Sequence, residues 1–260
     1  MASDEAWKNH DPEDGIEKVL LASWKSFFDV ISYKFADYKP FIFRGQRKCD
    51  WPLEPSLDRT AKKTIVDIES HLKGFRLSAR GRRGQNPLEL NENEWWALGQ
   101  HYGLDTPLLD WTESPYLALY FAFLKPRETA TDKRGVFALS RKMVEQKSIE
   151  IAAHALAAMP VSPETVEIVT PLTEDNPRLV SQRGLFTRTP PGKDLETWVK
   201  THFSGISEGV LTRIIIPEEE GDREDCLKAL NLMNVNHLAL FPDLSGSTEF
   251  CNMCLTIQGY

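Results

Sequence analysis

The segment GQHYGLDTPLLDWTESPYLALYFAFL, Gly99 to Leu124, sets five reactive side chains directly ahead of an almost wholly apolar run. His101, Asp105, Asp110, Thr112 and Glu113 fall among glycines and a proline. Ser114-Pro115 is a strong helix start: serine oxygen accepts from the unpaired amides of a first turn, and proline has no N–H to leave unpaired there. PYLALYFAFL is apolar on every side, which predicts a buried helix. The segment is thus expected to form a polar loop delivering the chain into a buried helix. Asp110, Thr112 and Glu113 either cap that entrance or use it. A carboxylate there suits a sugar hydroxyl or a developing cation better than an anion, because it would compete with an anionic ligand for the positive helix end.

Working outward, the chain has 260 residues, 41% hydrophobic and 27% charged, enough for a substantial core in a single domain. The formal net charge is −7, which disfavours broad nucleic-acid binding. Lys73–Arg83 is a local exception, with five basic residues and no acid; a solvated helix end explains it, and phosphate contact is the alternative. No apolar run approaches the roughly 20 residues that span a bilayer. The acidic start, MASDEAWKNHDPEDGIEK, lacks a secretory pattern, and the expectation is a cytoplasmic protein with no membrane partner. C-x-x-C at Cys251 and Cys254 has no second pair; Phe250, Cys251, Cys254 and Leu255 share a helical stripe, so core packing is expected and no metal site.

Upstream, residues 13–35 show helical spacing through Val19, Leu20, Trp24, Phe27, Phe28 and Ile31. FIFRGQ predicts a short strand, Phe41 to Arg44, ended by Gly45; residues 51–59 predict an irregular loop, and 64–80 and 92–102 two helices. Downstream, 134–140, 164–172, 176–190 and 208–217 carry strand composition, with helices at 194–203 and 224–235 and a helical start within 142–159. Residues 236–242 predict a late strand, and a short helix or an edge strand follows from Ser245. The expected fold is α+β: one domain, a helical N-terminal half packed on a mainly antiparallel or mixed sheet. Residues 1–38 are assigned to a helical segment and 39–260 to the remaining domain.

Three segments offer chemistry. Arg44 at a strand end can hold a phosphate or carboxylate bidentately, or form a structural ion pair, with Gly45 and Gln46 beside it. His101 is either a hydrogen-bonded structural residue or a proton carrier. Gln182 and Gly184 place an amide and a close backbone approach between expected strands, for a base or amide ligand or as a bulge.

FIFRGQ, QHYGLDTPLLDWTESPYLALYFA, NPRLVSQRGLF and LALFPDLSG together resemble the bacterial FRG domain family, whose name comes from the stretch that is Phe43-Arg44-Gly45 here. The resemblance runs from Lys39 to the C-terminus. A fainter similarity, an aromatic-Arg-Gly strand end and ALYFA, links it to ADP-ribosyltransferases. What that resemblance implies is a nucleotide-directed enzyme that cleaves NAD or transfers ADP-ribose, in bacterial defence or a toxin-like role. NAD would be substrate, with no resident cofactor. Arg44 would anchor phosphate, His101 with Thr112 would bind ribose or nicotinamide, and Asp110 or Glu113 would stabilise the ribosyl cation. A non-catalytic module binding a nucleotide or a protein partner is the alternative, and a nuclease the second. Every version needs Arg44–Gln46, His101–Thr112 and Gln182–Gly184 to form one cleft.

Overall fold

The computed structural model of the chain describes residues 6–37, 40–61, 67–158, 163–171 and 177–260. Its strands are β1 (Trp7–Glu13), β2 (Ile16–Leu21), β3 (Phe41–Gln46), β4 (Leu108–Thr112), β5 (Arg134–Ser140), β6 (Glu167–Val169), β7 (Gly184–Arg188) and β8 (Leu211–Ile216). They form one mixed sheet in the order β1-β2-β8-β5-β3-β4-β7-β6, in which β2 and β8 run parallel and the other described pairs are antiparallel. The helices are α1 (Ser26–Lys34), α2 (Ser56–Ala61), α3 (Ile68–Ser78), α4 (Glu92–His101), α5 (Pro115–Phe123), α6 (Arg141–Ala158), α7 (Pro177–Ser181), α8 (Leu195–His202), α9 (Asp222–Leu232), α10 (His237–Leu240) and α11 (Leu244–Thr256). The α+β expectation holds.

Strand alternation sorts the core into two faces. Val19, Phe43, Val136 and Ile214 pack against α1, α5 and α9 on one side. Ile42, Phe137, Leu139 and Leu211 pack against α6 and α8 on the other. At the far end of the first face, Leu108 and Phe186 meet Leu72 of α3 and Trp96 of α4. Among the described residues no helix is long and apolar enough to cross a membrane.

Several expected elements are corrected. The helix expected over 13–35 is a hairpin strand followed by a helix, so of the segment assigned to 1–38 the described residues, 6–37, are helical only in their second part. Asp14 and Gly15 have φ of 50° and 75° between the paired residues Glu13 and Ile16. That is the two-residue hairpin turn that Asp-Gly favours, and it outweighs the helical spacing around it. Leu108–Thr112, expected as loop, is a strand because Leu109 and Trp111 find one core and Leu108 another. Residues 56–61 are helical, not irregular. The strand expected over 176–190 begins as α7, and the late strand at 236–242 is α10, started by Asn236 accepting from Ala239 N–H. Gly45 does not end its strand. Cys251 and Cys254 lie exposed on α11, and Leu255 is exposed with them, so that stripe faces outward rather than inward. Residues 64–66, 159, 172 and 176 of the expected elements lie outside the described residues.

Two features of the sheet matter for function. First, α5 lies directly on β3. A Cβ built on Gly45 would overlap the Ala118 carbonyl oxygen and stand 2.7 Å from the Ala122 nitrogen, so no side chain fits there. Both ends of α5 are satisfied: Ser114 Oγ accepts from Leu117 N–H, and the fully buried Arg134 donates from Nη1 to the carbonyls of Ala122 (2.9 Å) and Lys125 (2.7 Å) while pairing with Glu218. Second, β3 and β4 share one described residue pair, Phe43 with Thr112. β3 stays paired with β5 as far as Gln46, and β4 with β7 as far as Leu108. The sheet therefore parts between Arg44–Gln46 and Leu108–Asp110.

Gly45→Ala is expected to destabilise the protein by about 3 kcal/mol or to prevent folding, because backbone rather than a flexible side chain must move. Gly74→Ala, in α3 with open space around it, is expected to raise stability by about 0.5–1 kcal/mol; urea unfolding of both variants checks the contrast. Arg134→Met is expected to cost about 3–5 kcal/mol by stranding the Glu218 carboxylate; a variant melting with the parent would refute that role.

Candidate functional site: a cationic and aromatic cleft where the sheet parts

The parted strands open into a cleft of about 980 Å³, within the range of small-molecule sites. Arg44 bridges the gap. Its Nη1 donates to the Asp110 main-chain oxygen at 2.7 Å and stands 3.5 Å from Asp110 Oδ2. The guanidinium thus takes a carbonyl that a continuous β3–β4 ladder would have used. Arg44 is mostly buried, its side chain 20% exposed, whereas that of Asp110 is 62% exposed. Burial lowers the Arg44 pKa from its ordinary value; Asp110 opposes this, and the nearby Arg59 adds to it by repulsion.

Asp110 is steered from its other side. Gln100 Nε2 donates to Asp110 Oδ1, and the Thr106 hydroxyl donates to Gln100 Oε1 while accepting from Leu108 N–H at 3.3 Å. Thr106 is itself fully buried, its N–H held by Ser56 Oγ at 3.0 Å. The threonine contact fixes which end of the Gln100 amide faces the carboxylate. Neither Gln100 nor Thr106 stands out in the sequence, because this relay joins residues through the β4 strand that the sequence shows as loop.

The remaining cleft walls combine charge with flat rings. Arg47, Arg59 and Lys125 line it along with Arg44, and Trp51, Phe121 and Phe241 supply aromatic surface. Arg47 stacks over Trp51 at 5.1 Å and pairs with Glu128. Arg59 Nη1 donates to the Glu54 carbonyl at 2.5 Å. Sequence reading passes over Trp51 and Arg59, which fall in a stretch whose two prolines suggest loop, and over Phe121 and Lys125, masked by the buried helix they terminate. Gly45 and Gln46 do line the cleft; Gln46 is nearly buried, with Nε2 at 3.5 Å from the Pro52 carbonyl.

A smaller chamber of about 200 Å³ adjoins the cleft and shares Asp110, Trp111, Gln182 and Phe241 with it. His101, Arg178 and Gly184 face this chamber rather than the main cleft. Arg178 is engaged by Asp243 and Ser245, and Asp243 caps α11 through Gly246 N–H at 2.9 Å. Gln182 Nε2 donates to the Leu240 carbonyl at 3.2 Å. Thr112 is an internal brace as well as a cleft residue. Its hydroxyl donates to the Gln182 carbonyl at 2.7 Å and accepts from Ser114 N–H at 3.1 Å, tying the α7–β7 turn to the start of α5. Glu113 is not brought to either space; it stands 3.5 Å from Arg183, itself in the left-handed region at φ 46°. The three segments therefore meet, with Glu113 the residue left aside.

The architecture is that of an α+β domain with a basic, aromatic-walled cleft opened inside its sheet. Residues 39–131, which carry β3, α2, α3, α4, β4 and α5, match the FRG domain family model, which supports the FRG family for this segment. No curated protein matches the chain, and no solved structure does. Among the described residues, no three His, Cys, Asp or Glu side chains group as metal ligands would.

Burial lowers the pKa of His101, and of His202 and His237, from the ordinary histidine value near 6.5. Between the depressed folded values and 6.5, the unfolded chain binds more protons than the folded one, so stability rises with pH there. The carboxylates that partners hold low, such as Asp243 with Ser245 and Arg178, keep their contribution until pH falls below the ordinary aspartate range. Melting temperature is accordingly expected to fall as pH drops from 7 to 5; thermal melts showing a rise would contradict this.

Proposed function

We propose that the cleft binds a nucleotide, and that its enzymatic use is NAD cleavage or ADP-ribosyl transfer, with NAD as substrate rather than resident cofactor. One observation carries the reading. Four basic side chains, Arg44, Arg47, Arg59 and Lys125, line one cleft beside the aromatic faces of Trp51, Phe121 and Phe241, in a protein of net charge −7. Such a lining favours an anion, and guanidinium geometry suits phosphate. Trp51, Phe121 or Phe241 would pack against the base. The exposed Asp110 carboxylate is 3.5 Å from Arg44, loosely enough held for a phosphate to displace it.

For the chemical step, Asp110 is the carboxylate lining the cleft, and it would stabilise the oxocarbenium-like ribose as the N-glycosidic bond breaks. Its orientation comes from Gln100 and Thr106 rather than from the ligand. The non-catalytic reading, a nucleotide-responsive regulatory module with a protein partner, draws on one feature: both Asp110 oxygens already have partners, and Glu113 supplies no second carboxylate. The basic stretch Lys73–Arg83, on which a nuclease would draw, lies along α3 and the loop after it, where Arg76 and Arg83 stack on Trp95 away from the cleft.

Calorimetric titration with NAD and ADP-ribose, together with assay of free nicotinamide, separates these readings. Saturable binding is expected, weakened at least about tenfold in Arg44→Ala, with nicotinamide release abolished in Arg44→Ala and in Asp110→Ala. Binding without release would select the regulatory module. No binding of either compound would remove the nucleotide reading altogether.

A further inference from the structure

The basic stretch Lys73–Arg83 takes no part in the cleft. It runs along α3 and the turn after it, beside a second groove, of about 580 Å³, that opens between α3 and α4. Phe75 and Ala79 line one wall, and Leu98 and Tyr102, one helical turn apart along α4, line the other. Tyr102 is 74% exposed, so little of it is covered by its own fold. The groove shares no lining residue with the cleft or the smaller chamber. Helix α4 stands between them, with Ala97, Gln100 and His101 turned to the chamber.

The cations of the stretch divide into engaged and open. Arg76 and Arg83 lie over Trp95, at 5.7 and 4.9 Å, and Arg83 Nη2 donates to the Leu88 carbonyl at 2.9 Å. Arg80 Nε donates to the Leu77 carbonyl at 3.2 Å. Arg82, exposed on the groove, has no side-chain partner among the described residues, and neither has the exposed Lys73. The stretch contributes five positive charges and no negative one to a chain of net charge −7, so the rest of the chain carries −12. A local positive field on such a background favours an anionic ligand that ends where the patch ends. A long polyanion would run on into repulsion, and the Trp95 ring, on which a base could stack, is already taken by guanidinium. A small anion would leave the apolar walls uncovered. A peptide answers both features, with carboxylates for the cations and an apolar side chain for the walls.

We propose that the α3–α4 groove is the docking site for an acidic segment of a protein partner. One apolar side chain of that segment sits between Phe75, Leu98 and Tyr102, and its flanking carboxylates meet Arg82 within the field of Lys73 and Arg80. Because the groove is separate from the cleft, this interaction does not depend on the nucleotide reading.

The test is fluorescence anisotropy on the full chain with a short labelled peptide of Glu and Asp around a single Phe. The comparison probes are the same peptide with Ser for Phe, the same peptide with Lys for its acids, and a short single-stranded oligonucleotide. The Phe peptide is expected to bind at least about tenfold more tightly than the Ser peptide, and the Lys peptide not to bind. Arg82→Glu is expected to weaken both acidic peptides, and Tyr102→Ala to remove the advantage of Phe over Ser. Both residues are exposed, so both variants should fold, which thermal melts check. Lys18→Glu makes the same charge change on β2, at the other end of the sheet, and is expected to leave binding as it is. No binding of the Phe peptide, equal binding of the Phe and Ser peptides, or equal losses in Lys18→Glu and Arg82→Glu would overturn the docking site. An oligonucleotide bound more tightly than the Phe peptide would overturn it in favour of a nucleic-acid surface.

Discussion

The contact on which most of this molecule depends is the bare backbone approach of α5 to β3 at Gly45. A helix normally rests on a sheet through side chains; here Ala118 and Ala122 bring helix backbone against strand backbone. Two consequences follow from that closeness. An apolar helix this deep must have its end groups satisfied internally, which is the work of Ser114 at one end and Arg134 at the other. The helix also begins three residues after Thr112 pairs with Phe43, the one backbone pair between β4 and β3 among the described residues. Beyond it the strands are free to separate, and Arg44 spans the opening.

That arrangement makes Arg44 a structural group that also lines the cleft. Its bond to the Asp110 carbonyl substitutes for ladder hydrogen bonds, while its position inside the gap exposes the guanidinium edge to whatever enters. Asp110 is held by opposing pulls, from Arg44 on one oxygen and Gln100 on the other, so its carboxylate faces both chambers at once. The dipoles around Asp110 are thereby in place before anything enters the cleft. The braces that supply it come from residues far apart in sequence, with Ser56, Thr106, Gln182 and Ser114 all tied through backbone groups.

The parts of this architecture legible in the sequence are those whose determinants are local. Ser114-Pro115 announces α5, and Phe41 to Arg44 announces β3. Arg44, Asp110 and Gln182 stand out through residue type and spacing, and the structure brings all three to the cleft. What escapes is set by distant partners. β4 is a strand because β7 and two separate cores receive it, and nothing inside LLDWT tells strand from loop. Arg59 and Trp51 become cleft residues only once α2 and its approach fold against β3. The hairpin of β1 and β2 is a different case: Asp14-Gly15 is a local signal, outvoted because the apolar residues of Val19–Ile31 mimic a single helical stripe.

The extent of the family match, 39–131, does not coincide with the extent of the physical unit. Within that segment β3 and β4 share a single pair, and a two-strand fragment so joined has little cooperative stability. β3 is held along its length by β5, and β4 by β7, both outside it. The Arg134 cap of α5 also comes from β5, and Gln182 and Phe241, which separate the two chambers with Asp110, come from later still. The matched segment therefore supplies the Arg44 side of the cleft, while the chain beyond it supplies the sheet that keeps the cleft open and the wall that divides it. Sequence change in that later part can reshape the smaller chamber without disturbing Arg44, so likeness over residues 39–131 fixes one side of the cleft and not the chamber beside it.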